Sequence, residues 1–291
     1  MVSVTIIGPG RVGGALALAL PATKYRIDHL IARTPDTTWT PGGGHRKQVI
    51  EEISSIDSDV VFITTQDGNI RGVARELGNK LKVGTFVFHT SGALSSSVLD
   101  TLTDSGCRVG SIHPLVSISS PELGPERFPG AYFCIEGPPD VTGFASEIVN
   151  DLGGHPFEVP TKFKTLYHAS AVMACGHLVA LFDSAVEVLT KCGLGPEKSK
   201  EILIPLVAST VDNLKHQSTS SALTGTFGRA DIETFSRHLT SLNENVDDEL
   251  LEIYLLLGER SLELAAREGV NPERIDSMRA KMSVAKSRLK W

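Results

Sequence analysis

The stretch Val4–Leu20, VTIIGPGRVGGALALAL, decides the fold. Val4, Thr5, Ile6 and Ile7 are apolar or β-branched, the composition of a buried strand. They run directly into Gly8, Pro9, Gly10, Arg11, Val12 and Gly13, and an Ala/Leu-rich helical segment follows. This is G-x-G-x-x-G set between strand and helix, the fingerprint of dinucleotide binding. The first glycine permits a tight turn, the second lets a pyrophosphate approach the backbone, and the third lets helix and strand pack closely. Unpaired N–H groups at the helix start then face the phosphates.

The second strand indicates which dinucleotide. An acidic residue about 20 positions past the fingerprint grips a ribose 2′-hydroxyl, whereas an arginine there accommodates a 2′-phosphate. Here Arg26–Ala32 reads as strand, Ala32 stands where the carboxylate is expected, and Arg33 and Thr34 follow. The planar fork of Arg33 suits phosphate. The expected cofactor is therefore NADP(H) rather than NAD(H), with Arg11 adding positive charge.

Bulk composition bounds the rest. A chain of 291 residues with 41% hydrophobic content suits two domains with real cores. A net charge of -6 provides no basic face for nucleic acid, which leaves a small-molecule substrate as the expected partner. Cys107, Cys134, Cys175 and Cys192 show no paired metal-ligand spacing, so no metal is expected and reduced thiols in a cytoplasmic setting are. Ala15–Leu20 resembles a short signal core but lacks a basic flank. No run of about 20 unbroken apolar residues stands out, so no membrane partner is expected.

Taken in order, the chain alternates strand and helix to about residue 160. Strands are expected at 59–65, 85–89, 108–112, 131–136 and 156–159. Turns at Thr65, Gln66 and Asp67 and at Thr90, Ser91 and Gly92 follow strand ends, where an open α/β sheet binds its ligand. Asp67 is either the cap of the next helix or a cofactor contact. His113, fixed at a strand end by Pro114, can face nicotinamide or substrate, or serve as a hydrogen-bonded turn residue. The expected fold class is α/β, a doubly wound, mostly parallel sheet over 1–160, followed by an all-helical domain over 161–291.

The helical half begins with Lys164 and His168, neighbours at i, i+4 on a segment expected to run as one helix over 164–189. Either can serve as general acid for a carbonyl or imine that receives hydride. Alternatively, Lys164 is a solvated first-turn residue and His168 an interior one. Leu223–Asp231 reads as a shaped loop with Asp231 as helix cap, lining a substrate cleft or locking an interhelical turn. Asn271 and Pro272 open the last helix. Apolar positions such as Val246, Leu250, Ile253 and Leu257 exceed what a small helical domain can hide, and an intertwined homodimer would cover the surplus.

The runs His89–Leu94, Ser111–Leu115, Lys164–Ala169 and Leu223–Asp231 together resemble a family that joins an N-terminal NADP-binding Rossmann domain to a helical C-terminal domain of unknown function. More distantly the chain is similar to the 6-phosphogluconate and β-hydroxyacid dehydrogenase superfamily, with ketopantoate reductase and pyrroline-5-carboxylate reductase as cousins. That resemblance implies hydride transfer to or from a small substrate in a cleft between domains, often in a dimer. The superfamily lysine matches Lys164, while His168 occupies the position of its asparagine. Cys175 and Gly176 stand where the nearer family is expected to have Ser-Asn. The expected function is NADP(H)-dependent oxidoreduction of a small carbonyl, hydroxyl or imine compound. The alternative is a non-catalytic NADP(H)-binding or sensing protein.

Overall fold

The computed structural model describes residues 1–33 and 47–287. Among these, eight strands form one sheet: β1 (Val2–Ile7), β2 (Tyr25–Ile31), β3 (Lys47–Gln48), β4 (Val60–Ile63), β5 (Phe86–His89), β6 (Arg108–Pro114), β7 (Tyr132–Glu136) and β8 (His155–Glu158). Their order is β3-β2-β1-β4-β5-β6-β7-β8. The first six are parallel, β7 runs antiparallel to β6, and β8 is parallel to β7. The strand order reverses between β1 and β4. A doubly wound sheet opens its ligand crevice at that point, beyond the strand ends.

Helices cover both faces, which is why the central strands are continuous apolar runs rather than alternating ones. The helices of this part are α1 (Arg11–Ala19), α2 (Asp67–Leu77), α3 (Asp100–Thr103), α4 (Gly124–Arg127), α5 (Pro139–Asp151) and α6 (Lys164–Ala174). On one face Val4, Ile6, Val60, Phe62 and Phe88 meet Leu16 of α1 and Val141, Ile148 and Val149 of α5. On the other, Ile7, Val61, Ile63 and Val87 meet Ile70, Ala74 and Leu77 of α2 and Leu102 of α3. Successive strand residues thus supply opposite faces, as the two-residue period of a strand requires.

The chain divides into two compact units, Met1–Gly176 and His177–Trp291. The loss of strand signals near residue 160 coincides with the end of β8, but α6 stays with the sheet unit. The expected single helix over 164–189 is broken at Cys175. There α6 ends and α7 (Gly176–Thr190) begins, with Gly176, a poor helix former, at the joint. Among the described residues, Thr161–Thr190 is the one segment that approaches membrane length, with Lys164, His168, His177 and Asp183 interrupting its apolar run. By length and composition it is apolar enough to cross a bilayer, with mean hydropathy 1.6 and none of that window buried.

The second unit contains α8 (Pro196–His216), α9 (Gly225–Gly228), α10 (Ile232–Asn245), α11 (Asp248–Arg267) and α12 (Pro272–Lys286). Phe235, Leu251, Leu255, Leu262, Ile275, Met278 and Met282 form its core. As expected, Asp231 caps α10 by accepting the Thr234 N–H, and Asn271 caps α12 by accepting the Glu273 N–H. The Leu223–Asp231 segment folds into α9 and a turn in which fully buried Ala230 holds a φ of 46°. A Cβ on Gly258 would lie 2.7 Å from the Phe227 ring, so α11 needs glycine there to pack against α9.

One close approach in the sheet unit is directly testable. Gly124 of α4 rests on Ala15 of α1, and a Cβ at that position would collide with the Ala15 methyl. Gly124→Leu is expected to lower the unfolding free energy by about 2–3 kcal/mol through overpacking, read as a lower urea midpoint at unchanged slope.

Candidate active site

The turn from β1 to α1 performs the three tasks its glycines imply. Gly8 has a φ of 88°, and a Cβ there would be 2.9 Å from Thr65 Cγ2. A Cβ on Gly13 would collide with Thr64 Oγ1 and sit 2.7 Å from the Gly8 carbonyl oxygen. Gly10 meets nothing nearer than 3.9 Å, so its backbone is open to a ligand. Thr64 Oγ1 donates to the Gly8 carbonyl at 2.6 Å and ties the turn to the end of β4. Pro9 is buried and Val12 half-buried, whereas Gly10 and Arg11 are exposed. No side chain caps α1 and no acid occupies its first turn. Its first N–H groups and the positive end of its dipole are therefore left for an anion from outside the chain.

Beside this turn lies a cleft of about 380 Å³, lined by Gly8, Ala32, Arg33, Thr65, Asn69 and Glu76 among others. Arg33 is exposed at its edge. Thr34 lies outside the described residues. Among the described residues, Thr65 Oγ1 is buried with no hydrogen-bond partner. A buried hydroxyl without a partner is costly, and a polar ligand at this crevice would satisfy it. The glycine cradle, the uncapped helix start, the orphan hydroxyl and the guanidinium thus all fit a phosphorylated dinucleotide.

The turns after β4 and β5 are joined to each other. Gln66 precedes α2, and Asp67 is already the first helical residue, so the expectation that Asp67 is a side-chain cap does not hold. Its carboxylate instead accepts the Ser91 hydroxyl at 2.8 Å. Ser91 Oγ in turn accepts the N–H groups of Ala93 and Leu94, which fixes the Thr90–Ser91–Gly92 turn. His89, unremarked in the sequence except as part of a motif, secures the base of the turn. Its Nδ1 accepts the Ser91 N–H at 3.2 Å, so its Nε2–H donates to the Ser95 carbonyl at 3.1 Å. Burial, followed by the nearby Lys164 ammonium, pushes the His89 imidazole down to about 4.

Two of the three candidate acid–base residues, His113 and His168, converge on this turn. His113 and His168 stand edge to face with ring centroids 5.6 Å apart. Gly92 lies against both: a Cβ there would be 2.8 Å from the His113 ring and would collide with His168 Nδ1. His168 Nδ1 is buried without a partner among the described residues. His113 Nδ1 pairs with the Tyr167 hydroxyl at 2.7 Å. Burial, then His168 and Lys164, push His113 down to about 4, and burial raises the Tyr167 phenol, so both are neutral near pH 7. These two neutral groups can pass or accept a proton.

Lys164 is placed differently from its neighbours. Its side chain is 1% exposed, 3.5 Å from Glu136 Oε2, and its ammonium donates to Ser111 Oγ. Burial lowers the Lys164 pKa from its ordinary value, against the opposing pull of Glu136. Burial alone would raise the Glu136 carboxyl, but the Ser96 N–H, Lys164 and the Ser96 hydroxyl outweigh it and hold it below its ordinary value. Ser96 N and Oγ donate to Glu136 at 2.7 and 2.9 Å, and Thr161 Oγ1 donates at 3.3 Å. Lys164 is thus an internal charge rather than a solvated first-turn residue. One turn along the same helix, Tyr167 and His168 are carried to His113. Glu136 and Tyr167 escaped the sequence reading. The available signals were an acid closing the apolar strand Tyr132–Glu136, and a phenol three residues from Lys164.

Two predictions follow from this geometry. Removing one member of a buried pair strands the other, so Lys164→Met and Glu136→Gln are each expected to cost about 3–5 kcal/mol in urea unfolding, and the double variant less than their sum. His89 and His113 are depressed to about 4 from 6.5 in the folded chain. The unfolded chain therefore gains protons first as the solution acidifies. Stability is expected to be full above pH 6.5, to fall between 6.5 and 4, and to fall less steeply in His113→Gln, as measured by urea unfolding across that range.

Comparison with known proteins agrees with this architecture. A protein from Bacteroides fragilis, whose name assigns it provisionally to the NADP oxidoreductases, superposes with a TM-score of 0.73 at 19% identity, covering 90% of this chain and 98% of its own. Protein TM1727 from Thermotoga maritima gives 0.69 at 24% identity, with 91% and 99% coverage. Pyrroline carboxylate reductase from Plasmodium falciparum, solved with NADP bound, gives 0.58 at 16% identity, with 91% and 98% coverage. At these identities the likeness is one of fold. No curated protein matches the sequence. Residues 1–114 match the Rossmann-like domain, and residues 131–261 match a domain of unknown function, DUF2520. The Rossmann-like match thus spans β1 to β6, and the DUF2520 match runs from β7 through the helices into α11.

Proposed function

We propose that this chain is an NADP(H)-dependent oxidoreductase acting on a small carbonyl, hydroxyl or imine compound. The observation that carries this reading is the β1–α1 turn, where three glycines leave an uncapped helix start beside a cleft edged by Arg33. The N–H groups of Arg11, Val12 and Gly13 bind the pyrophosphate, and Arg33 and Thr34 take the 2′-phosphate. Thr65 supplies its spare hydroxyl, and Gln66, Asp67 and the Thr90–Gly92 turn hold the nicotinamide side. When bound, the cofactor supplies or accepts the hydride.

The remaining residues manage the accompanying proton. His113 and His168, both half-exposed and set against Gly92, are placed to move it, with the Tyr167 phenol on His113 Nδ1. Lys164, sealed behind Ser111 and Glu136, acts through its charge and disfavours protonation of His89 and His113. The fold shared with NADP-named proteins supports the reading, and it extends to a cytoplasmic homodimer.

Calorimetric titration tests it. NADPH is expected to bind with a sub-millimolar Kd, at least about tenfold more tightly than NADH, and Arg33→Ala is expected to erase that preference. Absence of nicotinamide nucleotide binding would overturn the proposal. A panel of ketones, imines and hydroxy acids, followed at the reduced-nicotinamide absorbance band, then separates turnover from binding alone.

A further inference from the structure

His113, Cys134 and Phe157 stand level with one another on β6, β7 and β8, so their side chains share one face of the sheet. Tyr167 of α6 lies over that row. Its ring meets His113 and Phe157 edge to face, with centroids 5.7 Å from each, and its hydroxyl reaches His113 Nδ1 at 2.7 Å. Cys134 between them is fully buried and engaged with the Val159 backbone, which leaves His113 Nδ1 as the partner of the phenol.

The direction of that hydrogen bond decides what His113 presents to a ligand. A neutral imidazole has one N–H and one lone pair on its two nitrogens, and a phenol has one O–H. If Nδ1–H donated to the phenol oxygen, the O–H and the Nε2 lone pair would both go without a partner among the described residues. If the O–H donates to Nδ1, those two groups satisfy each other and the ring proton stands on Nε2. A phenol is also a far stronger acid than a neutral imidazole N–H, which makes it the better donor. His113 Nε2 lies against Gly92, and so does His168 Nδ1, the buried nitrogen with no partner among the described residues. A donor and an unmet nitrogen therefore flank one spot, and a polar ligand there would engage both.

We propose that His113 meets the substrate as a neutral imidazole donating from Nε2, that Tyr167 sets this tautomer, and that the group received there is a carbonyl oxygen. This narrows the proposed oxidoreductase reading and rests on it. A carbonyl oxygen offers lone pairs to the Nε2–H. An imine accepts hydride readily once protonated, and its nitrogen then has a hydrogen and no lone pair, so it would meet Nε2–H donor to donor. The same bonds carry the proton. As the carbonyl carbon receives hydride from reduced nicotinamide, the C=O π pair moves to oxygen and oxygen takes the Nε2 proton. Nδ1 takes the phenolic proton, and the phenolate regains one from water. His113 thus changes tautomer without becoming a cation. Its surroundings suit that role: burial, His168 and Lys164 oppose an imidazolium. The other ionisable groups on the elements around it supply no free anion, since Glu136 is taken by Lys164 and burial raises Cys134 and Tyr167.

Nitrogen NMR on the full chain carrying isotope-labelled histidine, without coenzyme at pH 7, reads the tautomer. His113 is expected to show a protonated Nε2 and an unprotonated Nδ1. The phenol is expected to displace the Nδ1 signal toward the protonated range, and Tyr167→Phe to return it to the free-acceptor range. With a substrate from the panel above, Tyr167→Phe is expected to lower kcat at least about tenfold while the NADPH Kd stays unchanged. Carbonyl compounds are expected to be reduced in preference to their matched imines. Should Tyr167→Phe fail to fold, the wild-type spectrum still decides the tautomer. A protonated Nδ1 in the wild type, an Nδ1 signal indifferent to the substitution, or preferential turnover of imines would each overturn the proposal. Failure to bind NADPH would instead remove the oxidoreductase reading and leave the tautomer assignment standing.

Discussion

A cation sealed inside a protein must be neutralised where it stands, and the arrangement around the candidate active site depends on how this chain does so. Lys164 meets Glu136 and Ser111 below the surface, and Glu136 is held in place by Ser96 and Thr161. One ion pair thereby ties together β6, β7, the turn after β5 and the first residues of α6. The direction of α6 is set at its first residue, so the positions of Tyr167 and His168 against His113 follow from that anchor. A buried pair of this kind adds little to stability relative to an apolar replacement, yet it fixes one arrangement among many.

The two halves of the crevice are built on different principles. At the β1–α1 turn, recognition comes from what is missing: side chains on Gly8 and Gly13, a cap on α1, an acid in its first turn. At the β5 turn it comes from a closed set of hydrogen bonds among His89, Ser91 and Asp67, each group satisfied by the next. The first half is ready for an anion. The second is closed on itself, and within it the His89 imidazole is neutral near pH 7.

The sheet was legible in the sequence because buried parallel strands are apolar throughout, and Val60–Ile63 or Phe86–His89 has no other use in water. The glycine turn was legible because each glycine has a steric task. Lys164 was not, since a lysine at the first turn of a helix is ordinarily solvated, and its burial depends on Glu136 arriving from a strand whose direction no periodicity reveals. The break at Cys175 was hidden within an apolar run that reads as one helix. Asp67 read equally well as cap or contact, because its engagement with Ser91 spans 24 residues.

The reversal of β7 matters for depth. The register sets the last residues of β4 and β5, Ile63 and His89, level with Ser111, while β6 runs on to His113 and Pro114. Because β7 descends, its terminal Glu136 pairs with Ser111, level with His89, beneath His113. Running back along β6, β7 thus brings its closing carboxylate level with the ends of the neighbouring strands rather than beside His113, and there it meets Lys164.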